Sequence, residues 1–212
     1  STLAAEWAAR IEADPSKNVV VAFDGYVTAD WTRTINLLAQ QLGLKGIALE
    51  TVSFAECFKS GEQINAMIDP YLEWDRSKDP TLLYGRIFKG GYEALLDSEK
   101  FEALRERIAG ARRATGKGRV VIVYGNGCLI ASLRDLYDVR CFFDVTPKES
   151  ILRIRRGAYA NLGDRIPRPA NQVIRRCYYA DFEMALHLRG ELLRGGSLDY
   201  YLPSDKADGV QL

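Results

Sequence analysis

A turn near the N-terminus is the first part of the sequence whose residue types and spacing could do chemistry. The apolar run at residues 19–23 predicts a buried strand, and an amphipathic helix follows it. This order is that of the phosphate-binding pattern G-x-x-x-x-G-K-[ST], in which backbone N–H groups and a lysine hold phosphates and a hydroxyl holds magnesium. The corresponding residues are Gly25, Tyr26, Val27, Thr28, Ala29, Asp30, Trp31 and Thr32.

Two residues of this loop depart from the pattern. Asp30 stands in place of the second glycine, and Trp31 stands in place of the lysine, a register that the apolar positions of the following helix fix. Arg33 lies two residues on and points to another side of the helix. The loop therefore predicts a phosphate cradle without its cation, with Thr32 as the candidate magnesium ligand. The alternative is an ordinary strand–turn–helix with no ligand.

Composition describes an ordinary globular chain. Its 212 residues are 47% hydrophobic and 27% charged, enough for one sizeable core. The net charge of +1 gives no field that would attract nucleic acid or an acidic membrane. No apolar run approaches the roughly 18 residues that a membrane helix needs. Four cysteines lie far apart without a C-x-x-C pair, which predicts reduced thiols and a cytoplasmic location.

Strands alternate with helices along most of the chain. This alternation predicts a three-layer α/β fold with a mainly parallel sheet, whose ligand site lies at the carboxyl ends of the strands. We expect an N-terminal helix at 1–16, one domain at 17–194 and a C-terminal tail or linker at 195–212. Within the domain, 54–92 is a loop-rich insertion and 148–176 is an arginine-rich segment. We expect helices at 2–13, at 98–113, from Pro147 to about 160 and at about 170–194.

A second buried strand, residues 119–123, leads into Tyr124 and Gly125. After it come Leu-Arg-Asp-Leu at 133–136, a strand that ends at Asp144, and an arginine-rich helix. This series resembles the uridine-kinase-like branch of P-loop kinases over roughly 19–160. The resemblance implies a P-loop kinase-like fold, ATP and magnesium as cofactors, and a lid that closes over phosphates.

The resemblance also identifies a second polar residue of the kinase pattern, after the lysine, that this chain lacks. Tyr124 replaces the strand-end glutamate of these kinases, a carboxylate that would take the acceptor's proton or help to hold magnesium. Asp24 is the nearest substitute base or metal ligand, and Asp144 is the other. A structural role at the end of a strand is the alternative for each of them.

The arginine-rich segment at 148–176 holds eight basic and two acidic residues. Arginine forks suit phosphate oxygens, and the kinase resemblance places such arginines in the lid. We therefore expect Arg153, Arg156 and Arg165 to clamp a phosphate. The alternative is a solvated helix face with arginines that reach into water. In the insertion, the candidates for the acceptor side are Trp74, Tyr84 and Arg86.

Two further reactive residues carry weaker hypotheses. His187 is the only histidine, which excludes a catalytic zinc site built on several histidines. Cys128 follows Gly-Asn-Gly, but no histidine lies near it in sequence to activate a thiolate.

Short motifs in the second half form another series: Asp144-Val-Thr-Pro-Lys, Asn161-Leu-Gly, and Arg176-Cys-Tyr-Tyr-Ala-Asp. They resemble the kinase-like N-terminal region of some bacterial class I mannose-6-phosphate isomerases. The resemblance implies a link to sugar-phosphate metabolism and a C-terminal cupin isomerase domain as a partner in a longer chain. The isomerase zinc site would lie in that cupin part.

Three functional hypotheses follow from the sequence. The first is a degenerate P-loop kinase-like domain that binds a small phosphorylated ligand, a nucleotide or a sugar phosphate. The second is an active sugar or nucleoside kinase that uses ATP and magnesium, with Asp24 as base. The third is an RNA-binding module, against which the scarcity of stacking residues near the arginines argues.

Overall fold

The computed structural model describes residues 2–206, in which helices and strands alternate. The strands are β1 (Val19–Gly25), β2 (Ala48–Ser53), β3 (Arg119–Tyr124), β4 (Val139–Asp144) and β5 (Tyr200–Pro203). The helices are α1 (Thr2–Ala13), α2 (Thr32–Leu44), α3 (Gly61–Ile68), α4 (Ser98–Arg113), α5 (Ala131–Arg134), α6 (Pro147–Arg155), α7 (Ala170–Arg176) and α8 (Phe182–Arg194). A π-helical turn, Cys177–Asp181, joins α7 to α8.

The five strands form one parallel sheet in the order β2-β3-β1-β4-β5. Strand β1 lies at the centre, with Phe23 opposite Tyr124 of β3 and Gly25 opposite Phe143 of β4. The loops that follow these three strands therefore meet at one edge, where open α/β sheets bind ligands. The predicted three-layer α/β fold with a parallel sheet is confirmed.

Alternate residues of β1 face two separate cores, which is why the whole strand reads as apolar. Val20 and Ala22 pack in one core with residues of α4 and α8. Val21 and Phe23 pack in the other core with residues of α1 and α2. Each face of the sheet is thus covered by helices, and together they make the three layers.

The N-terminal helix belongs to the main core. The predicted helix at residues 2–13 is present as α1, and the Trp7 side chain is fully buried against Phe23 at a ring distance of 6.1 Å. None of the helices within residues 2–206 combines the length and apolarity needed to cross a bilayer.

Three boundaries differ from the sequence-based expectations. The helix expected from Pro147 to about 160 ends at Arg155, and the long helix expected at about 170–194 is α7, the π-helical turn and α8. The range 195–212, expected to be a tail or linker, contains β5, which pairs with β4. Strand β5 has only four residues and ends in proline, so it carries little of the periodicity that predicts strands.

The arginine-rich segment packs tightly onto the insertion. The loop at residues 157–169 passes so close to α3 that a Cβ atom added to Gly61 would lie 2.0 Å from the Gly163 carbonyl oxygen. The Arg176 side chain, only 1% exposed, donates to the Leu162 carbonyl at 2.6 Å and to the Asn65 side chain. These contacts hold the arginine-rich segment against α3.

We expect Gly61→Ala to lower the free energy of unfolding by roughly 1–3 kcal/mol, because the added methyl group must displace the Gly163 backbone. The matched control is Gly110→Ala, since Gly110 lies in α4 with no atom close to an added Cβ. This control should raise stability by up to about 1 kcal/mol through helix propensity. Urea unfolding of both variants measures the difference, and equal effects would contradict the close contact.

Candidate functional site

The loop after β1 closes on itself. The Ala29 N–H donates to the Tyr26 carbonyl at 2.9 Å, and Thr28 adopts a left-handed backbone with φ of 71°. These features form a tight turn over Tyr26–Ala29. A Cβ atom added to Gly25 would lie 2.5 Å from the Ala29 Cβ, so the loop's own atoms fill the space beside Gly25.

Several N–H groups that a phosphate cradle would offer already have partners within the protein. The Tyr26 N–H donates to the Phe143 carbonyl at 2.9 Å, and the Gly25 N–H donates to Asp24 Oδ1 at 2.7 Å. At the start of α2, the Thr32 N–H donates to Asp30 Oδ1 at 2.9 Å. The Asp30 carboxylate therefore takes a position at the helix N-terminus that favours an anion.

Trp31 and Tyr124, the residues at the lysine and glutamate positions of the kinase pattern, contact each other. Their ring centroids lie 6.2 Å apart, and Trp31 also packs edge-on against Phe143 at 6.4 Å. Trp31 is only partly buried, so one side of its ring faces the groove beside α2. Two aromatic side chains in contact thus occupy the positions at which the sequence resemblance expects a lysine and a glutamate.

The predicted base, Asp24, is fully buried. Its Oδ1 accepts from the N–H groups of Gly25 and Gly127, and its Oδ2 accepts from the Leu129 N–H at 2.8 Å. The carboxylate thereby joins β1 to the loop that follows β3. Burial raises the pKa of the Asp24 carboxyl to about 7, although these N–H groups and Arg134 lower it.

A pKa of about 7 in the folded state, against 3.8 as the ordinary value, predicts stability that is present in acid and lost as the pH rises. Between these values the unfolded chain ionises Asp24 first, so the folded chain holds the additional proton. We expect the free energy of unfolding to fall by on the order of 4 kcal/mol from this group between about pH 4 and pH 8. Urea unfolding across that range measures the slope.

Two variants separate this contribution from other titrations. Asp24→Asn should flatten the pH dependence, whereas Asp135→Asn, a change at an exposed aspartate after α5, should leave it unchanged. The same slope in the protein and in Asp24→Asn would contradict the assignment.

Arg153, one of the three predicted phosphate-clamp residues, is bound within the protein. Its guanidinium donates to the Thr28 carbonyl at 3.0 Å and to the carbonyls of Ser204 and Asp205. Its Nε donates to the Glu149 carboxylate at 3.2 Å. Arg153 therefore joins the loop after β1 to the segment that follows β5.

Arg156 and Arg165, the other predicted clamp residues, are exposed. The Arg156 side chain is 69% exposed, and its only ion pair within residues 2–206 is a 3.9 Å contact with Glu149. Arg153 and Arg156 border the same cavity, whereas Arg165 does not. The structure thus brings together two of the three predicted arginines.

This cavity has a volume of about 670 Å³ and lies at the N-terminus of α2; we call it the α2 cavity. Trp31 and Thr32 form one side, and α6 with the segment after β5 forms the other. Its charged lining consists of Arg33, Arg153, Arg156 and Lys206 with Asp30, Glu149 and Asp205. The Asp205 carboxylate accepts from the Thr146 N–H at 2.7 Å. All three acidic side chains thus accept hydrogen bonds from within the protein.

Other candidates from the sequence lie elsewhere. Asp144 pairs with Arg189 at 3.0 Å and accepts from the Tyr201 hydroxyl, and Cys128 is buried with its thiol pKa raised by burial. In the insertion, Trp74 lies under the Arg175 guanidinium at 4.2 Å. None of these three candidates contributes to the lining of the α2 cavity.

The remaining two candidates of the acceptor side are Tyr84 and Arg86. The Tyr84 side chain is 65% exposed, and the Arg86 guanidinium lies over the Tyr71 ring at 5.7 Å. Neither lines the α2 cavity.

Sequence reasoning missed two roles that the structure makes plain. Asn126 donates from its amide to the Gly25 carbonyl at 2.8 Å and so helps to hold the loop after β1. Arg175 is 2% exposed and donates to the Glu73 carbonyl at 2.7 Å. The sequence does not indicate whether two adjacent arginines are buried or exposed to solvent. The position of Asn126 between two glycines, however, indicated a turn in which a polar side chain could bind the backbone.

A family profile matches residues 3–212 of the chain. The chain belongs to this family, which is described as a domain of unknown function (DUF8485). A search of curated proteins found no match.

Solved structures with a similar fold include three kinases. A candidate fructose transport system kinase from Silicibacter sp. TM1040 has a TM-score of 0.55 and 20% identity over 90% of this chain and 95% of that chain. A candidate uridine kinase from Bacillus stearothermophilus has a TM-score of 0.52 and 10% identity over 95% and 99%. Phosphoribulokinase from Rhodobacter spheroides has a TM-score of 0.51 and 12% identity over 88% and 70%. At these identities the likeness establishes a P-loop kinase-like fold.

Proposed function

We propose that this protein is a P-loop kinase-like domain that binds a small phosphorylated ligand in the α2 cavity and does not transfer a phosphoryl group. The observation that carries the proposal is the closed loop after β1, where Ala29 packs onto Gly25 and the turn N–H groups have internal partners. Phosphoryl transfer depends on charges that stabilise the transition state, and their removal costs several kcal/mol each. Trp31 and Tyr124 supply no such charge.

The α2 cavity offers a phosphate binding groups of a different kind. The N-terminus of α2 borders the cavity, but the Asp30 carboxylate already accepts from the Thr32 N–H there, so arginine side chains are the groups offered to a phosphate. The Arg156 guanidinium borders the cavity with only one long ion pair, which leaves its fork available to phosphate oxygens. A cavity of about 670 Å³ is large enough for a nucleotide or a sugar phosphate.

The sugar-phosphate link is the finer part of the proposal. It rests on the Asn161-Leu-Gly and Arg176 to Asp181 motifs and their resemblance to the kinase-like region of mannose-6-phosphate isomerases. The cupin isomerase domain as a partner follows from the same resemblance. Four free cysteines, all buried, fit the expected cytoplasmic location. Thr32 as a magnesium ligand stays a prediction, since its side chain is exposed at the start of α2.

We expect Arg156→Gln to weaken binding of the phosphorylated ligand about tenfold, the loss of roughly one charge-assisted hydrogen bond. Calorimetric titrations with ATP, ADP, mannose 6-phosphate and inorganic phosphate test this, with adenosine and mannose as partners that lack phosphate. Arg155→Gln is the matched control, because Arg155 is exposed beside it on α6 and does not border the cavity. Equal losses in the two variants, or no phosphate-dependent binding, would reject the α2 cavity as the site.

A second experiment tests the absence of phosphoryl transfer. We expect no acceptor-dependent ADP release by the unmodified protein with magnesium and ATP over a panel of sugars and nucleosides. Trp31→Lys should not restore release, because the Tyr26–Ala29 turn and the Asp30 carboxylate remain in place. Acceptor-dependent turnover by the unmodified protein would instead establish an active kinase that uses ATP and magnesium.

A further inference from the structure

A second cavity, of about 460 Å³, lies between the end of the insertion and α8; we call it the α8 cavity. Residues 87–93 form one wall, α8 forms the other, and Ile130 of the loop after β3 lies between them. It shares no lining residue with the α2 cavity, so it is a separate concave site. Neither the loop after β1 nor the arginines of the segment at 148–176 border this cavity.

Helix α8 presents two kinds of side chain to this cavity. Glu183, His187 and Glu191 are spaced four residues apart, which places them along one face of the helix. Met184 and Leu188 follow the first two and are both 4% exposed. The helix therefore offers carboxylates at the rim and an apolar surface below.

The rest of the apolar surface comes from three other buried side chains. Phe88 is 6% exposed, Tyr92 3% and Ile130 2%, and each borders the cavity. A concave apolar surface with a few polar groups at its rim is the usual form of a site for a small organic molecule. Such a surface would hold the hydrocarbon part of a ligand.

The rim selects the charge of that ligand. Three glutamates, Glu93, Glu183 and Glu191, face one lysine, Lys89, although the whole chain carries a net charge of +1. Arg134 pairs with Glu191 at 2.7 Å, whereas Glu93 and Glu183 form no ion pair with any residue in the described range 2–206. Two carboxylates therefore remain to attract a cation at a cavity whose lining combines polar and apolar surface.

We propose that the α8 cavity binds a small organic cation, a primary amine on an apolar body. The ammonium group is held by Glu183 and Glu93 at the rim, and the body packs on Met184, Leu188 and Ile130. Charge-assisted hydrogen bonds to carboxylates give the preference for an amine, and the apolar floor distinguishes such a ligand from a hydrated metal ion.

Tyramine and 4-ethylphenol test this directly, since they share one aromatic body and only tyramine carries an amine. Calorimetric titration, with backbone amide chemical shifts to locate the contact, should show tyramine binding at least tenfold tighter, with shifts at residues 87–93 and in α8. Glu183→Gln should reduce tyramine affinity about tenfold and leave the weak binding of 4-ethylphenol unchanged. Tryptamine, a primary amine on a larger aromatic body, extends the panel.

The matched control is Glu99→Gln, a change at an exposed carboxylate in the first turn of α4 that does not border the cavity. This variant should bind tyramine as the unmodified protein does. Equal affinity for tyramine and 4-ethylphenol, no binding of either amine at millimolar concentration, or equal effects of the two substitutions would overturn the proposal. Phosphate ligands at the α2 cavity should be unaffected by Glu183→Gln, so the two proposals fail separately.

Discussion

The buried carboxylate of Asp24 is the contact on which the edge of the sheet depends. It accepts three backbone N–H groups, one from its own strand end and two from the loop after β3. The Asn126 side chain of the same loop donates to the Gly25 carbonyl, so the loop after β3 binds both the Asp24 side chain and the backbone at the end of β1. A group this enclosed cannot also take a proton from a substrate hydroxyl without the loops separating, which favours a structural role for Asp24.

The closed loop and the aromatic contact are two parts of one arrangement. The kinase resemblance assigns a lysine and a strand-end acid to two positions of this edge of the sheet. Here Trp31 and Tyr124 occupy these two positions, and their rings contact each other. Phe143 of β4 also packs against the Trp31 ring. The Asp30 carboxylate at the start of α2 then supplies the negative charge that the helix terminus favours.

Periodicity predicted the fold well, because buried strands and amphipathic helices carry strong patterns. Helices α1 and α4 have the predicted bounds, and the central strands lie where apolar runs end at glycine or aspartate. The closure of the loop after β1 could not be predicted in this way, since it depends on the left-handed backbone at Thr28. The burial of Arg175 and Arg176 likewise depends on which helix face meets the insertion, and adjacent arginines do not indicate it.

The packing of the arginine-rich segment limits how far this segment can move. A kinase lid must open and close during each turnover. Here Gly163 lies against Gly61 without room for a methyl group, and the buried Arg176 guanidinium lies 3.8 Å from Asp181 while it donates to Leu162 and Asn65. Moving this segment away from α3 would break the hydrogen bond from the buried Arg176 guanidinium to Asn65, at a cost of about 1.5–3 kcal/mol. The close packing of the arginine-rich segment on α3 therefore opposes a large movement of this segment away from the insertion.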